Sequence, residues 1–392
     1  MTTVADLTAP TGGLSDTQRQ IVELAREFAR EHIEPHAAEW DRTKQFPRAT
    51  IDALGKLGFL GMTVAEAHDG MGLDTVTYLL ALEEIAAADA SIAVSISIQN
   101  AIPATMLSRH GTDAQKQRWL KPLARGELLV GFALSEPDSG SDPAGMRAQA
   151  VRDGDGWVLN GMKAWATNGG TADVMMVMVR TDTSAARRGA KGISTFIVPT
   201  GTSGYRAGQP EDKMGLRASN TATVALDDLR LPADALLGDE GMGLVYALEG
   251  LDAGRLGIAT QATGIARRAL EHAIGYAAER RQFDKPIREF QAVQFKLADM
   301  ATRIAAARAL THVAAAAKDR GEDIRQLAAM AKLFASETAM WVTTQAVQLF
   351  GGYGYMRDFP VEKLFRDAKV TEIYEGTSEI QRIVIARGLA GR

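Results

Sequence analysis

The sequence predicts a multi-domain α+β protein in three consecutive parts: an N-terminal helical domain over 1–129, a central antiparallel β-barrel-like domain over 130–236 and a C-terminal four-helix bundle over 237–392. Three observations predict it. Apolar residues recur at helical spacing at both ends of the chain. Between about 130 and 236 the texture changes to short β-branched and aromatic runs separated by Gly and Pro, and Asn160-Gly161 supplies the strongest short hairpin signal a sequence carries. At 392 residues with 46% hydrophobic content, the chain is too long for one ordinary core and has apolar side chains for two or three.

Helix formation opens at Ser15, which has capping-box spacing to Gln18 with Leu14 as staple; Ile21, Leu24, Ala25, Phe28, Ala29 and Ile33 then recur at helical spacing up to Pro35. More helix follows to about 129, punctuated by Phe46-Pro47, the turn Asp69-Gly70-Met71-Gly72 and Gly111-Thr112-Asp113, after which 114–120 reads as helix. In the middle part Trp157-Val158-Leu159 and Lys163-Ala164-Trp165 flank Asn160-Gly161 as hairpin arms. Residues 175–179, 194–198 and 221–226 read as further strands, ending near Pro232. The last part reads as four long helices, 241–278, 291–320, 325–350 and 377–389, with Ala, Leu and Ile spaced for a bundle.

Composition excludes several classes. A net charge of -4, from 44 Lys+Arg against 48 Asp+Glu mixed along the chain, leaves no basic stripe for nucleic acid or anionic lipid. Without cysteine there are no disulfides, thiolate nucleophiles or iron–sulfur clusters, and the chain reads as cytoplasmic, from a reducing interior. Residues 1–14 have neither a basic residue nor an apolar run, so they match neither a secretory signal nor a transit peptide. No window approaches a membrane span. Of the six histidines only His32 and His36 form an i,i+4 pair, with no acidic partner as on a zincin helix, so no metal site is expected. G-x-G-x-x-G after a strand, G-x-x-x-x-G-K-[ST], G-x-S-x-G and H-E-x-x-H are all missing, which removes the Rossmann, P-loop, hydrolase and zincin readings.

The candidate catalytic group lies in Lys369-Val370-Thr371-Glu372-Ile373-Tyr374-Glu375-Gly376-Thr377-Ser378-Glu379-Ile380-Gln381. Val370, Ile373 and Tyr374 form an apolar approach, Gly376 permits a sharp turn, and Ser378 with Gln381 has the spacing of a capping box. Glu375 is thereby placed on a turn, where partial desolvation suits a general base. The alternative is an acid set beside a helix N-terminus because the dipole favours it, and on this stretch alone that is the commoner case. Two segments of the β part stand out besides. Phe132 to Asp142 joins an apolar strand to a loop dense in hydroxyls and backbone donors, as a pyrophosphate or heteroaromatic edge requires. Lys163 to Gly170 puts Trp165 and Thr167 at i and i+2, on one face of a strand.

These motifs resemble the acyl-CoA dehydrogenase family, most closely its short-chain, butyryl-type members, over essentially the whole chain. FALSEPDSGSD at 132–142 and KAWATNGG at 163–170 look like the family's flavin loops, followed in family order by LDAGRLGIA at 251–259, ERRQF at 279–283, QLFGGYGY at 348–355 and YEGTSEIQ at 374–381. The resemblance implies that Phe132, Leu134, Ser135, Gly140, Ser141, Trp165 and Thr167 hold the flavin ring of FAD, with Thr167 beside N5 and Ser141 also touching the thioester. It implies that Arg280, Gln282, Phe283, Gln291, Gln348, Gly351 and Gly352 hold the pyrophosphate and adenine of an FAD across a subunit interface. Thr377 and Glu379 would close over the cofactor, and Asp252 and Arg255 would meet CoA, with Glu375 and Gly376 at the substrate. The family's alternative base position, just before the Arg of D-x-x-R, is Gly254 here, which leaves Glu375 as base.

The implied reaction is α-proton abstraction with transfer of the β-hydrogen as hydride to flavin N5, giving trans-2-enoyl-CoA in fatty-acid or branched-chain amino-acid catabolism. An electron-transfer flavoprotein would be the acceptor and a homotetramer, a dimer of dimers, the assembly. Oxidation with O₂ or of a carrier-protein-tethered acyl group on the same fold, and a catalytically silent helical scaffold, are the alternative expectations. Departures from the family pattern at Ala65 to Gly70, Asp138-Ser139 and Asp284 bear on cofactor geometry and substrate.

Overall fold

A computed structural model describes residues 13–182 and 189–391. Residues 1–12, most of the segment expected to match neither a secretory signal nor a transit peptide, lie outside the described residues. Helix α1 (Asp16–Phe28) starts as expected: Ser15 and Gln18 bond reciprocally in a capping box. It does not stop at Pro35. A π-helical turn at Ala29–Ile33 feeds α2 (Glu34–Thr43), and Pro35 occupies its first turn, where a missing N–H costs nothing. Next come α3 (Arg48–Lys56), α4 (Thr75–Ala88), α5 (Ala90–Ala101) and α6 (Pro103–His110). The short α7 (Asp113–Gln115) and α8 (Lys121–Ala124) are joined by a π-helical turn. Every residue of α5 is buried, and Asp89 caps it by accepting the Ser91 N–H at 2.7 Å. The stretch Ala90–His110, contrary to the sequence reading, is long and apolar enough to cross a membrane; it is almost wholly enclosed by the rest of the fold, as a core helix is.

The strands are β1 (Val130–Ala133), β2 (Gln149–Asp153), β3 (Gly156–Thr167), β4 (Val174–Arg180), β5 (Ile193–Pro199), β6 (Tyr205–Pro210), β7 (Thr221–Pro232) and β8 (Leu236–Leu237). They pair in the order β6-β7-β3-β1-β4-β5-β8, with β2 bonded to β3 and β4. Two expectations are corrected here. The sheet is mixed, since β4 runs parallel to β1 and β2. Asn160-Gly161 is no hairpin turn: β3 passes straight through it as a bulge against β7, and the turn lies at Asp153 to Gly156. Gly161 has φ +142, and a Cβ there would meet that of Ala148 at 2.4 Å, so Gly is required by close approach. Strand β4 is apolar from Val174 to Val179 because both faces are covered: Met175, Val177 and Val179 pack within the β domain, Val174, Met176 and Met178 against helices.

The C-terminal part comprises α9 (Gly243–Glu279), a small hairpin β9 (Arg281–Gln282) and β10 (Lys285–Pro286), α10 (Gln291–Asp319), α11 (Arg325–Phe350), α12 (Pro360–Lys369) and α13 (Ser378–Leu389). The four expected helices are present, and α12 is an addition. It ties all three parts together. Lys363 pairs with Asp89 at 3.0 Å and Asp367 at 2.7 Å, Asp367 accepts the Leu216 N–H at 2.7 Å, and Arg366 reaches Asp41 on α2. Burial opposes the Lys363 charge, but Asp367 and Asp89 hold the ammonium well above its usual range. The N- and C-terminal helices share one core, with Leu79, Leu82 and Ile85 of α4 packed among Leu256, Ile265 and Leu270 of α9 and Val342 of α11.

Candidate active site

Glu375 sits on the turn between α12 and α13, reached through a 3₁₀ turn at Val370–Glu372. It has φ +51, rare for a side-chain-bearing residue, and Gly376 follows at φ +93. Anchors on both sides hold this strained pair. Tyr374 donates its hydroxyl to Gln261 on α9, whose amide donates to the Ala90 carbonyl at 2.6 Å. Beyond the turn, Gln381 Nε2 donates to the carbonyls of Glu375 at 3.2 Å and Gly376 at 2.8 Å, and Lys332 Nζ on α11 donates to Gly376 O at 2.8 Å. The expected Ser378–Gln381 capping box does not form. Thr377 is the N-cap, accepting from the Ile380 N–H at 3.4 Å, and Gln381 is spent on the turn.

The carboxylate points at α9, where a Cβ on Gly254 would lie 2.2 Å from Glu375 Oε2. That oxygen is shielded from solvent and has no hydrogen-bond partner. Burial pushes the carboxyl up to about 7, against the pull of the Lys332 and Arg255 cations. One turn away, buried Arg255 pairs with Asp252 at 2.5 Å, and burial holds the Asp252 carboxyl above its ordinary value despite that partner. Arg255 Nε is buried without an acceptor, so this guanidinium retains a donor for an anionic or carbonyl ligand.

The two loops read as flavin-binding are brought together by strand pairing, Phe132 on β1 standing opposite Thr167 on β3. Lys163, fully buried, explains their shape. Its ammonium pairs with Glu136 at 2.8 Å and donates to Leu134 O at 3.1 Å, while Glu136 accepts the N–H groups of Arg147 at 2.6 Å and Ala148 at 3.0 Å. Ser135 O accepts the Ala164 N–H at 2.9 Å. A second bulge precedes Ala166 and gives Trp165 φ +54, leaving the indole 58% exposed beside the half-buried Thr167. Asn168 at φ +62 joins this loop to α5 by accepting from Ser95 Oγ at 3.2 Å. Ser141 and Gly140 lie exposed on the other loop, and a Cβ on Gly140 would meet nothing within 4 Å.

Arg280, Gln282, Phe283, Gln291, Gln348, Gly351 and Gly352 form a separate, mostly exposed group. Arg280 caps α9 and lies over the Tyr353 ring at 5.6 Å, Phe283 on the β9–β10 hairpin is 87% exposed, and Gly351 has φ +60 at the end of α11. The 25 residues of helix from Arg255 to Arg280 separate this group from the turn by about 38 Å along α9. Thr377 is half-buried at the N-cap and Glu379 exposed in the first turn of α13. Sequence reasoning missed Lys163, Glu136, Asn168, Gln261 and Lys332. A lone charge inside an apolar run, as in Ala328 to Ala335, was the available signal for Lys332.

Three family models match in chain order: the acyl-CoA dehydrogenase N-terminal domain over 15–127, the middle domain over 131–229 and the C-terminal domain over 241–390. The chain belongs to the acyl-CoA dehydrogenase family. It is 46% identical to the mitochondrial short-chain specific acyl-CoA dehydrogenase of Bos taurus over 373 residues, 95% of this chain and 90% of that one. Butyryl-CoA dehydrogenase from Megasphaera elsdenii superposes with a TM-score of 0.94 at 42% identity, over 96% and 99% of the two chains. A glutaryl-CoA dehydrogenase from Mycobacterium smegmatis in complex with FADH2 does so at 0.93 and 34%, over 100% and 99%. As a family member the chain is an oxidoreductase that dehydrogenates acyl-CoA with a flavin.

Proposed function

We propose that this dehydrogenase converts a short straight or branched acyl-CoA to trans-2-enoyl-CoA with Glu375 as the α-proton base and FAD as its flavin. The observation that carries the reading is the Glu375 carboxylate itself, buried, unpartnered at Oε2 and poised at about 7 on a strained turn. Glu375 takes the α-proton, and its backbone N–H polarises the thioester carbonyl, so that proton removal and enolate stabilisation come from one residue. Bound FAD supplies the acceptor for the β-hydrogen and two electrons as the Cα–Cβ double bond forms. The donor set fits that group: Thr167 and Ser141 offer hydroxyls, the backbone of Phe132, Leu134, Ser135 and Gly140 lines an open loop, and Trp165 presents an exposed ring. Arg255 with Asp252 receives the CoA moiety, and Gly376 keeps the turn open to the thioester. Thr377 and Glu379, at the same turn, would close over the cofactor.

Two features support a short acyl chain. The likeness to short-chain and butyryl-CoA dehydrogenases is one. The other is Tyr78 on α4, buried and near enough to Glu375 to sense its charge; a Cβ on Gly257, three residues past Gly254, would lie 3.5 Å from its hydroxyl and 2.1 Å from Ser97 Oγ. Helices α4 and α5 thus pack closely on α9 three residues past Gly254. The exposed Arg280 group, about 38 Å along α9 from Arg255, suits the FAD of a partner subunit in a homotetramer built as a dimer of dimers. An electron-transfer flavoprotein is the proposed acceptor, and the cysteine-free composition fits a cytoplasmic location. Turnover of straight and branched acyl-CoAs from butyryl to palmitoyl tests the substrate reading. The highest kcat/KM is expected near butyryl-CoA, and a maximum at long chains would overturn it.

A further inference from the structure

We infer that Lys332 is the positioning residue of the proton-transfer turn: held on the Gly376 carbonyl, its buried ammonium sets the charge that the Glu375 carboxylate faces. This rests on the reading of Glu375 as base. Lys332 lies on α11 in the run Ala328 to Ala335 and is fully buried, where an ammonium is costly unless its charge is answered. Its hydrogen bond goes to a carbonyl, Gly376 O at 2.8 Å, not to a carboxylate. Gln381 already serves that same carbonyl at 2.8 Å, so a second, charged donor exceeds what holding the turn requires.

Several charged or titratable groups face the pair. Arg255 with its partner Asp252 approaches from α9, Glu372 from the 3₁₀ turn, Glu379 from α13, Tyr78 from α4 and Tyr374 from the turn itself. Lys332 and Arg255 are the cations that draw the Glu375 carboxyl down, and Arg255 is already committed to Asp252. Burial in turn lowers Lys332 to about 8, so its charge persists over the range in which Glu375 titrates. Lys332 thereby favours the ionised form of a base that burial alone would hold protonated to still higher pH.

The test compares Lys332→Met, Lys332→Gln and Lys332→Arg with the parent in anaerobic flavin reduction by butyryl-CoA across pH. Removing the cation leaves Glu375 easier to protonate, so the acid limb should move about one unit alkaline and the rate at pH 6 fall about tenfold. Infrared spectroscopy without substrate should show the protonated carboxyl band, assigned by its loss in Glu375→Gln, persisting to correspondingly higher pH. Lys332→Gln, neutral but still able to donate to Gly376 O, should shift like Lys332→Met and stands in for it if that variant does not fold. Lys332→Arg should restore most of the midpoint. Parental midpoints in both neutral variants, with only thermal stability reduced, would overturn the inference. A Glu375→Gln enzyme that reduces flavin normally would instead sink the base assignment on which it rests.

Discussion

Gly254→Ala should impair chemistry without harming the fold. A Cβ at this position would stand 2.2 Å from Glu375 Oε2, 3.0 Å from Cδ and 3.3 Å from Oε1. Ordinary contact requires the carboxylate to retreat by about 1 Å, on a turn that Tyr374, Gln381 and Lys332 hold from both sides. A misplacement of about 1 Å can cost about 10²-fold in rate. Position 254 is also inside a 37-residue helix, where Gly→Ala contributes roughly 0.5–1 kcal/mol of stability before any contact is counted. The variant should therefore melt within a few degrees of the parent and keep its FAD, while stopped-flow reduction by butyryl-CoA slows about 10²-fold. Parental reduction rates would show that the carboxylate does not work from the position it occupies against α9.

Three further outcomes are expected. Glu136→Gln strands the fully buried Lys163 ammonium, so urea unfolding should show a loss of roughly 3–5 kcal/mol, with weaker FAD retention; a parental midpoint would remove this pair from the cofactor loops. The Glu375 carboxyl is raised from 4.5 to about 7 on folding, so its contribution to stability is complete below the unfolded value and is lost as pH rises through the folded one. Glu375→Gln should thus match the parent in thermal melts near pH 4 and exceed it above pH 7, by on the order of 3 kcal/mol at most; equal melts at pH 8 would contradict the buried charge. Arg280→Ala should release FAD more readily on gel filtration, whereas a fully active, FAD-saturated monomer would exclude a shared cofactor site.

Local signals in the sequence foretold the helices well, because their cause is local. Ser15 and Gln18 mark the start of α1, and the long apolar runs of α9, α10 and α11 carry their own periodicity. Asn160-Gly161 misled because tertiary pairing outweighed turn chemistry: β7 continues along β3 past this point, Asn160 bonds Asp228, and Gly161 serves the approach of Ala148. The parallel pairing of β1 with β4 joins segments some forty residues apart and has no local signature. Helix α12 carries a short apolar stripe, Val361, Leu364 and Ala368, that was passed over; what no local signal could show is that Arg366 pairs with Asp41, Lys363 with Asp89, and that Asp367 accepts the Leu216 N–H. Within the site, Glu375 and Gly376 were legible as a turn. Lys332 was not, since its meaning depends on α11 passing beneath that turn 44 residues later in the chain.

The most direct test of the account is anaerobic stopped-flow reduction of Glu375→Gln by butyryl-CoA. Glutamine keeps the size of the side chain and the backbone anchors of Gln381 and Lys332, so the variant should fold, remain yellow and bind acyl-CoA. Its flavin should be reduced at least about 10² to 10⁴ times more slowly than in the parent, the contribution typical of a lost general base. Reduction at the parental rate would contradict the account, because Gly254 offers no carboxylate in its place.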